Sequence, residues 1–165
     1  MTRPPLRPLP EIRHLRSQES ERANLVINTA FERYLALIGL SPDTTQNPYD
    51  YLPDAIADKR AWAAVVDGQI VGVAIVDAIS DTSWQIDLVG VLEDHAKAGI
   101  GRSLMQRIEI EARDRRVTLL SLSTLDIAHW LWSFYESLGF RILHRAPPKH
   151  KLDDNLRVFM EKRLD

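Results

Sequence analysis

The chain has 165 residues, which is enough for one domain with a full hydrophobic core and too few for two ordinary domains. Lys and Arg number 21 and Asp and Glu 23, so the net charge of -2 argues against a nucleic-acid-binding protein, whose surface is normally basic. The absence of cysteine excludes disulfides, thiolate metal sites and cysteine nucleophiles, and it fits a reducing compartment. No apolar run approaches the roughly 20 residues of a membrane span. We therefore expect a cytoplasmic protein that binds neither nucleic acid nor a membrane.

The amino terminus predicts an extended arm followed by one domain. Four prolines fall within residues 1–10 and disfavour a regular helix or strand there. This start is basic but lacks the apolar segment of a secretory signal. Residues 11–165 contain no internal repeat and are predicted to form a single domain.

The first part of this domain is predicted to be mainly helical. A short strand is expected at Glu11 to Leu15, followed by a helix from Ser17 to Leu40 that ends near Gly39. Ser41 to Pro48 is predicted to be a loop, and Tyr49 to Lys59 a short second helix. The long helix is expected to turn inward at Leu25, Val26, Thr29, Phe31, Tyr34, Leu35 and Ile38.

The middle of the chain predicts strands. Ala61 to Val66 and Ile70 to Val76 flank an Asp-Gly turn at Asp67 and Gly68, which is typical of a β-hairpin. A further strand is expected from Trp84 to Val91. Its alternation predicts one face with Trp84, Ile86 and Leu88 and the opposite face with Gln85 and Asp87.

The last part of the chain alternates helices and strands. A helix is predicted from Gly99 to Arg115 with a buried stripe at Ile100, Leu104, Ile108 and Ala112. The other predicted elements are a strand at Val117 to Ser123, a helix at His129 to Leu138, and strands at Phe140 to His144 and Leu156 to Lys162. This order predicts an α/β or α+β fold around a mostly antiparallel sheet.

A glycine-rich turn at Gly99-Ile100-Gly101 lies where a strand leads through a short loop into a helix. Free backbone N–H groups at a helix start form an anion site suited to phosphate, and Lys97 and Arg102 add positive charge. The alternative is that the glycines serve the geometry of a tight turn alone. The sequence has neither the Gly-Lys-Ser/Thr of a P-loop nor the third glycine of a dinucleotide fold.

A second segment, together with this turn, resembles the GNAT family of N-acetyltransferases. That family's pyrophosphate loop reads Gln/Arg-x-x-Gly-x-Gly/Ala, which aligns with Ala96-Lys97-Ala98-Gly99-Ile100-Gly101. Its late helix carries Phe-Tyr-x-x-x-Gly-Phe, which matches Phe134-Tyr135-Glu136-Ser137-Leu138-Gly139-Phe140. The resemblance extends from about Glu11 to the carboxyl end, and both motifs occur in the expected order of strands and helices.

The resemblance implies a fold and a co-substrate. We expect a central, mostly antiparallel sheet with two splayed strands and helices on both faces, and acetyl-CoA as the acyl donor. The edge from Val89 to Val91 would hold the pantetheine arm. The residues expected to surround the pyrophosphate are Ala96, Lys97, Ala98, Gly99, Ile100, Gly101, Arg102 and Ser103. No cluster of side chains has metal-ligand spacing, and no metal is expected.

Two positions depart from the family's pattern. Ala96 stands where Gln or Arg is usual, and Leu131 replaces an asparagine of one branch of the family. Each substitution removes a polar contact to the cofactor. An alternative function is therefore a non-catalytic acyl-CoA-binding sensor or structural module with the same fold.

The resemblance also assigns catalytic roles. Acetyl transfer to an amine needs a base for the amine proton and benefits from an acid for the leaving thiolate. Tyr135 matches the family's acid, although it also fits a core aromatic residue. Asp87 is the candidate base, although it also fits an outward polar residue of a strand. Histidine is a common general base, but His95 and His129 better fit surface or capping positions.

The acceptor is expected to be a primary amine of a small molecule or a peptide. It would lie over residues 17–59, where Tyr49 and Tyr51 are candidate lining residues. On the late helix, Trp130 shares a stripe with Phe134, whereas Trp132 is predicted to point outward. An exposed tryptophan favours contact with the acceptor or with a second subunit, and we therefore expect a homodimer.

Overall fold

A computed structural model describes residues 9–39, 51–148 and 153–164 of the chain. It contains a sheet of seven strands and, in the described residues, four α-helices. The strands are β1 (Glu11–His14), β2 (Ala61–Val66), β3 (Gln69–Ser80), β4 (Ser83–Val91), β5 (Leu119–Leu125), β6 (Arg141–Ala146) and β7 (Arg157–Arg163). The helices are α1 (Ser20–Ala36), α2 (Leu52–Ala57), α3 (Ile100–Asp114) and α4 (His129–Ser137).

The sheet confirms the predicted fold class. Its strand order is β1-β2-β3-β4-β5-β7-β6, and every neighbouring pair is antiparallel except β4 and β5. The parallel β4–β5 pair spans only Ser83–Gln85 against Leu119–Ser121. Beyond these residues the two strands have no further paired positions. The sheet therefore opens into a V between two halves, β1–β4 and β5–β7.

Helices cover both faces of the sheet. α1 and α2 pack on one face, where Val26, Ile27 and Leu52 belong to the same buried cluster as Val73 of β3. α3 and α4 pack on the other face, where Ile108 and Tyr135 join Trp62 of β2 in a second cluster. This arrangement gives the V two different sides, one next to α1 and α2 and the other next to α3 and α4.

An irregularity in β4 corrects the predicted alternation of that strand. Ile75 of β3 pairs with Leu88 and Val76 pairs with Ile86, so Asp87 has no partner position. Such a β-bulge inserts one residue and reverses the faces that follow it. Ile86 accordingly packs in the α3 and α4 cluster, whereas Leu88 packs in the α1 and α2 cluster.

The predicted hairpin and the buried stripe of α3 are both confirmed. Asp67 and Gly68 form the turn between β2 and β3 with positive φ angles of 50° and 76°. The stripe of α3 is buried at Ile100, Leu104, Ile108 and Ala112. The other element boundaries differ from the prediction by a few residues, as in β3, which is longer than expected.

The predicted inward face of α1 is wrong at two positions. Leu25 is 55% exposed and Thr29 is also exposed, because the helix instead buries Ala23, Val26 and Ile27. The helix is also shorter than predicted and is preceded by a 3-10 turn at Ser17–Glu19. The predicted loop from Ser41 to Pro48 lies outside the described residues.

A polar anchor fixes α3 against the sheet. Glu111 of α3 accepts hydrogen bonds from Trp62 Nε1 and Arg107 Nε, both at 3.1 Å, and its other oxygen lies 3.0 Å from His14 Nε2. Trp62 is fully buried, so the bond to Glu111 satisfies an indole N–H that would otherwise lack a partner. The carboxyl-terminal half of α3 is thereby held in place relative to β1 and β2.

The rotation of α4 about its axis corrects the prediction for its two tryptophans. Trp130 is 57% exposed, whereas Trp132 packs against the core and donates its indole N–H to the Asp126 carbonyl at 3.0 Å. The His129 ring lies 5.2 Å from that of Trp132. The argument for a homodimer that rested on an exposed Trp132 is therefore lost.

Candidate active site

The start of α3 presents unpaired backbone donors. Gly99 precedes the helix with a φ of 79° and no side-chain cap. The N–H groups of Ile100, Gly101 and Arg102 donate to no acceptor among the described residues, whereas Ser103 N donates to Gly99 O at 3.0 Å. Three adjacent donors at the positive end of a helix form an anion site.

Backbone conformation favours glycine at one position of this turn. At Gly99 the positive φ strains any residue with a Cβ, although the space beside it is empty. At Gly101 a Cβ would lie 3.4 Å from the Phe134 ring of α4, which is an ordinary van der Waals distance. Gly101 therefore lies next to α4, but no steric clash requires glycine there.

The remaining residues of the loop surround the start of α3. Lys97 is exposed with a φ of 65°, and Ala96 is exposed and extended. Ala98 and Ser103 are half-buried, and Ile100 directs its side chain into the core, so its N–H faces the turn. Arg102 is exposed and donates to Ser137 Oγ of α4 at 3.2 Å.

The edge of β4 that faces the V carries backbone groups without a strand partner. Apart from Asp87, the residues from Ile86 to Val91 pair with β3 on one side, whereas pairing with β5 has already ended at Gln85. Val89 and Val91 are half-buried against the α3 and α4 cluster. At Gly90 a Cβ would meet Ala30 and Phe31 of α1 at 3.2 and 3.3 Å, so α1 covers this part of the V on the other face.

Asp87 lies at the bulge of β4, beside a small polar group. Gln85 Nε2 donates to Asp87 Oδ1 at 3.1 Å, and Gln85 is directed away from the face of Trp84 and Ile86. Asp87 therefore faces the side of α1 and α2. Burial and the nearby Asp77 carboxylate raise the pKa of Asp87 to about 6, against the lowering effects of Gln85 and Arg60.

Tyr135 lies on the opposite side of the sheet from Asp87. It is 8% exposed, and its ring makes edge contacts with Phe134 and Phe140. Burial, with a smaller contribution from Tyr34, raises the pKa of its hydroxyl well above the usual range. The hydroxyl therefore keeps its proton at neutral pH, and it makes no hydrogen bond with the described residues.

The other predicted residues lie at different places. His95 is half-buried in the short 3-10 turn after β4, and His129 is exposed at the start of α4. Leu131 is half-buried, and Tyr51 is half-buried against the α1 and α2 cluster. Tyr49 lies outside the described residues.

Sequence reasoning missed Tyr34, Arg60 and Asp77 as neighbours of the candidate catalytic residues. Arg60 Nη1 lies 3.8 Å from Asp77 Oδ1 and donates to the Val76 carbonyl at 2.8 Å. The spacing of apolar residues predicts that Tyr34 lies on the buried face of the long helix. That spacing does not indicate a contact near the V. The proximity of Asp77 to Asp87 could not be predicted, because the alternation of polar and apolar residues in β4 does not indicate the bulge.

The site fits an extended ligand with an anionic end. The donors at the start of α3 suit a pyrophosphate, and the unpaired edge of β4 suits an amide-containing arm such as pantetheine. In the residues the structure describes, no group of three or more His, Asp or Glu side chains has the arrangement of a metal site. None of the described helices is long and apolar enough to cross a membrane.

Comparisons with known proteins agree with this geometry. A family model for the acetyltransferase (GNAT) domain matches residues 57–142, more than half of the chain. This range includes the edge of β4, the start of α3 and Tyr135 of α4.

Solved structures support the same fold. A ribosomal-protein-alanine N-acetyltransferase from Brucella melitensis is 23% identical, with a TM-score of 0.76 over 93% of this chain and 99% of that one. The PaiA N-acetyltransferase from Thermoplasma acidophilum, solved in complex with coenzyme A, is 16% identical, with a TM-score of 0.78 over 94% and 99%. Ard1 from Thermoplasma volcanium is 20% identical, with a TM-score of 0.78 over 96% and 99%. The chain belongs to the GNAT family of acetyltransferases.

Proposed function

We propose that the protein transfers the acetyl group of acetyl-CoA to a primary amine by direct attack in a ternary complex. The amine nitrogen forms a bond to the acetyl carbon, and the bond from that carbon to sulfur breaks. The amine loses one proton and the thiolate of CoA gains one, so the products are an N-acetylated amine and free CoA. The chain then has to supply a base on the amine side and an acid on the thiolate side.

The observation that carries this proposal is the placement of two ionisable groups on opposite sides of the V. Asp87 of β4 faces the side of α1 and α2, and Tyr135 of α4 belongs to the cluster on the other side. The unpaired edge of β4 lies between the two helical layers. An acyl group held at that edge would meet the amine from one side and release sulfur toward the other.

Asp87 is suited to the role of the base. A pKa of about 6 leaves its carboxylate ionised at neutral pH and makes it a better proton acceptor than a fully solvated aspartate. It removes the proton from the amine directly or through one water molecule. The negative charge of the neighbouring Asp77 helps this proton transfer, because it destabilises the ionised form of Asp87 relative to the protonated form.

Tyr135 is suited to the role of the acid. Its buried hydroxyl is protonated at neutral pH and has no competing hydrogen bond with the described residues. It can therefore donate its proton to a developing thiolate. Backbone N–H groups on the free edge of β4 would hold the acyl carbonyl and the pantetheine arm.

The anion site is proposed to hold the pyrophosphate of acetyl-CoA. The three donors at the start of α3 carry most of this interaction, with Lys97 and Arg102 adding charge at the rim. Because the backbone supplies these donors, Ala96 in place of Gln or Arg weakens the binding of acetyl-CoA without abolishing it.

The acceptor is proposed to be a primary amine of a peptide or a small molecule. By its name, the structural neighbour from Brucella melitensis acts on an alanine of a ribosomal protein, which supports a peptide acceptor for the present chain. A cytoplasmic location is proposed from the composition, because a chain without cysteine fits a reducing compartment.

A non-catalytic acyl-CoA-binding sensor is the second candidate. Ala96 and the half-buried Leu131 favour it, because each lacks a polar group toward the co-substrate. A panel of amines and amino-terminal peptides, with acetyl-CoA as donor, distinguishes the two functions. Release of free CoA together with acetylation of one amine, detected by mass spectrometry, is expected. Tight binding of acetyl-CoA with no acetylated product from any amine would support the sensor.

A further inference from the structure

α1 runs across the V and not only along one half of the sheet. Its first turns pack on β3, where Val26 and Ile27 are fully buried, and its middle covers Gly90 of β4. Its last turn carries Tyr34 toward the end of β5. The helix therefore spans the region in which β4 and β5 are no longer paired.

The hydroxyl of Tyr34 binds the backbone of β5. It accepts a hydrogen bond from the N–H of Leu125, the last residue of that strand, at 3.1 Å. No other hydrogen bond between described residues joins α1 to β5, β6 or β7.

The end of β5 is held by its other edge as well. Leu125 pairs with Arg157 of β7, and the Asp126 N–H donates to the Leu156 carbonyl at 3.0 Å. The Arg157 guanidinium, in turn, donates to both oxygens of Asp153 at 3.0 and 2.9 Å. These contacts fix β5 to its own half of the sheet. The hydrogen bond to Tyr34 ties the end of the strand to α1, and through α1 to the half with β4.

Tyr34 also has a small electrostatic effect on the candidate acid, because it contributes to the raised pKa of Tyr135. Its ring packs edge-on against Phe31, 5.5 Å away, and Phe31 lies over Gly90. One side chain thus links the part of β4 that is proposed to hold the acyl group to the strand and helix that carry the acid.

We propose that Tyr34 is a positioning residue that sets the width of the V by tying α1 to the end of β5. This inference rests on the proposed function, because it assumes that the acyl group lies between β4 and β5. Fixing that width fixes the distance between the backbone of β4 and the Tyr135 hydroxyl. A displacement of about 1 Å in such a geometry costs roughly 100-fold in rate.

The test is Tyr34→Phe, which keeps the ring and removes the hydroxyl. With an amine that the wild-type enzyme acetylates, we expect kcat to fall by about 10- to 100-fold. The KM for acetyl-CoA and its affinity by calorimetry should stay within about twofold, because the start of α3 is untouched. Amide hydrogen exchange at Leu125 should become faster in the variant, and this measurement needs no acceptor.

Arg22→Met is a matched control at the other end of the same helix. Arg22 Nη2 donates to the Ile70 carbonyl at 3.0 Å, so the variant also removes one hydrogen bond between α1 and the sheet. It should leave kcat and exchange at Leu125 as in the wild type. Circular dichroism identifies a temperature at which the wild type, Tyr34→Phe and Arg22→Met are all folded, and the rates are measured at that temperature.

Three results would overturn the inference. They are an unchanged kcat in Tyr34→Phe, an equal loss of kcat in Arg22→Met, and unchanged exchange at Leu125. An unchanged kcat together with a higher KM for the amine would instead assign Tyr34 to binding of the acceptor. Failure of the proposed function is a separate result, seen as absence of acetyl transfer by the wild-type protein.

Discussion

Asp87 shows how a single residue is adapted to its role by its surroundings. The bulge in β4 places its carboxylate next to Asp77 and partly out of water, and both effects favour the protonated form. Gln85 donates only one hydrogen bond to it, and Arg60 is bound to Asp77 and to the Val76 carbonyl. These surroundings make the ionised form of Asp87 less stable, so its carboxylate accepts a proton more readily.

Asp87→Asn should change the pH dependence of the reaction. In the wild type we expect kcat to fall as the pH drops below about 6, because protonated Asp87 cannot accept a proton. The Asn variant should be slower by about 10²- to 10⁴-fold at neutral pH and should lack this acidic limb. Steady-state rates from pH 5 to 8 measure both effects. The same acidic limb in the variant would assign the ionisation to another group.

Asp77→Asn is the matched control for this assignment. It removes the neighbouring negative charge that raises the pKa of Asp87, so the acidic limb should shift to lower pH without disappearing. An unshifted limb would mean that Asp77 does not act on the titrating group.

Asp87→Asn should also change the stability of the protein in a pH-dependent way. The pKa of Asp87 is higher in the folded state than in the unfolded chain, so the folded state binds its proton more tightly. The stability of the wild type relative to the variant therefore falls as the pH rises from about 4 to about 6 and is then constant. We expect the variant to melt at a higher temperature than the wild type at pH 7.5, with a smaller advantage at pH 4.5. Thermal unfolding at both pH values checks this.

At the scale of elements, the start of α3 is the part of the site that depends least on side chains. Gly99→Glu should weaken the binding of acetyl-CoA by about tenfold or more, equivalent to ~1.4 kcal/mol, because the added carboxylate repels a pyrophosphate. Gly68→Glu is the matched control. Gly68 has a φ of 76° and open space beside it, so the backbone strain is similar but lies in the β2–β3 turn. Calorimetry showing equal affinity in both folded variants would contradict the assignment.

α4 gives a second prediction at this scale. Trp130→Ala should change the free energy of unfolding by no more than about 0.5 kcal/mol, because its side chain is largely exposed. Trp132→Ala should cost about 2 kcal/mol or more, because it removes core packing and the hydrogen bond to the Asp126 carbonyl. Urea unfolding of the two variants measures the difference. The reverse order would mean that the helix is rotated as the sequence suggested.

The sequence predicted some elements well because local chemistry determines them. The turn at Asp67 and Gly68 and the stripe of α3 follow from conformational preference and from a regular spacing of four residues. The fold of the site followed from two motifs that resemble a family. Those motifs located the start of α3 and Tyr135 without any three-dimensional information.

The predictions failed in elements whose apolar residues fit two arrangements equally well. α4 contains aromatic residues on several sides, so its spacing fits two rotations, and the indole hydrogen bond of Trp132 decides between them. β4 is apolar on either side of Asp87, so the bulge is invisible in its alternation. The contact of Tyr34 with Leu125 joins residues 91 positions apart, which no local pattern indicates.

At the scale of the whole molecule, the V between the two halves of the sheet organises the site. The halves are joined by a short parallel pairing at one end and by Tyr34 near the other. The helical layers put the anion site and the candidate acid on one face and the candidate base on the other. In the proposed mechanism, a donor and an acceptor would reach one point from opposite sides, as a ternary complex requires.

Tyr135→Phe tests the central claim most directly, because it removes the proton donor while keeping the ring and its contacts with Phe134 and Phe140. We predict that kcat falls by about 10²- to 10⁴-fold, the usual contribution of a positioned acid. The affinity for acetyl-CoA should change little, since the lost interaction develops mainly in the transition state. Normal turnover by the folded variant with an accepted amine would contradict the claim and leave Tyr135 as a packing residue of the core.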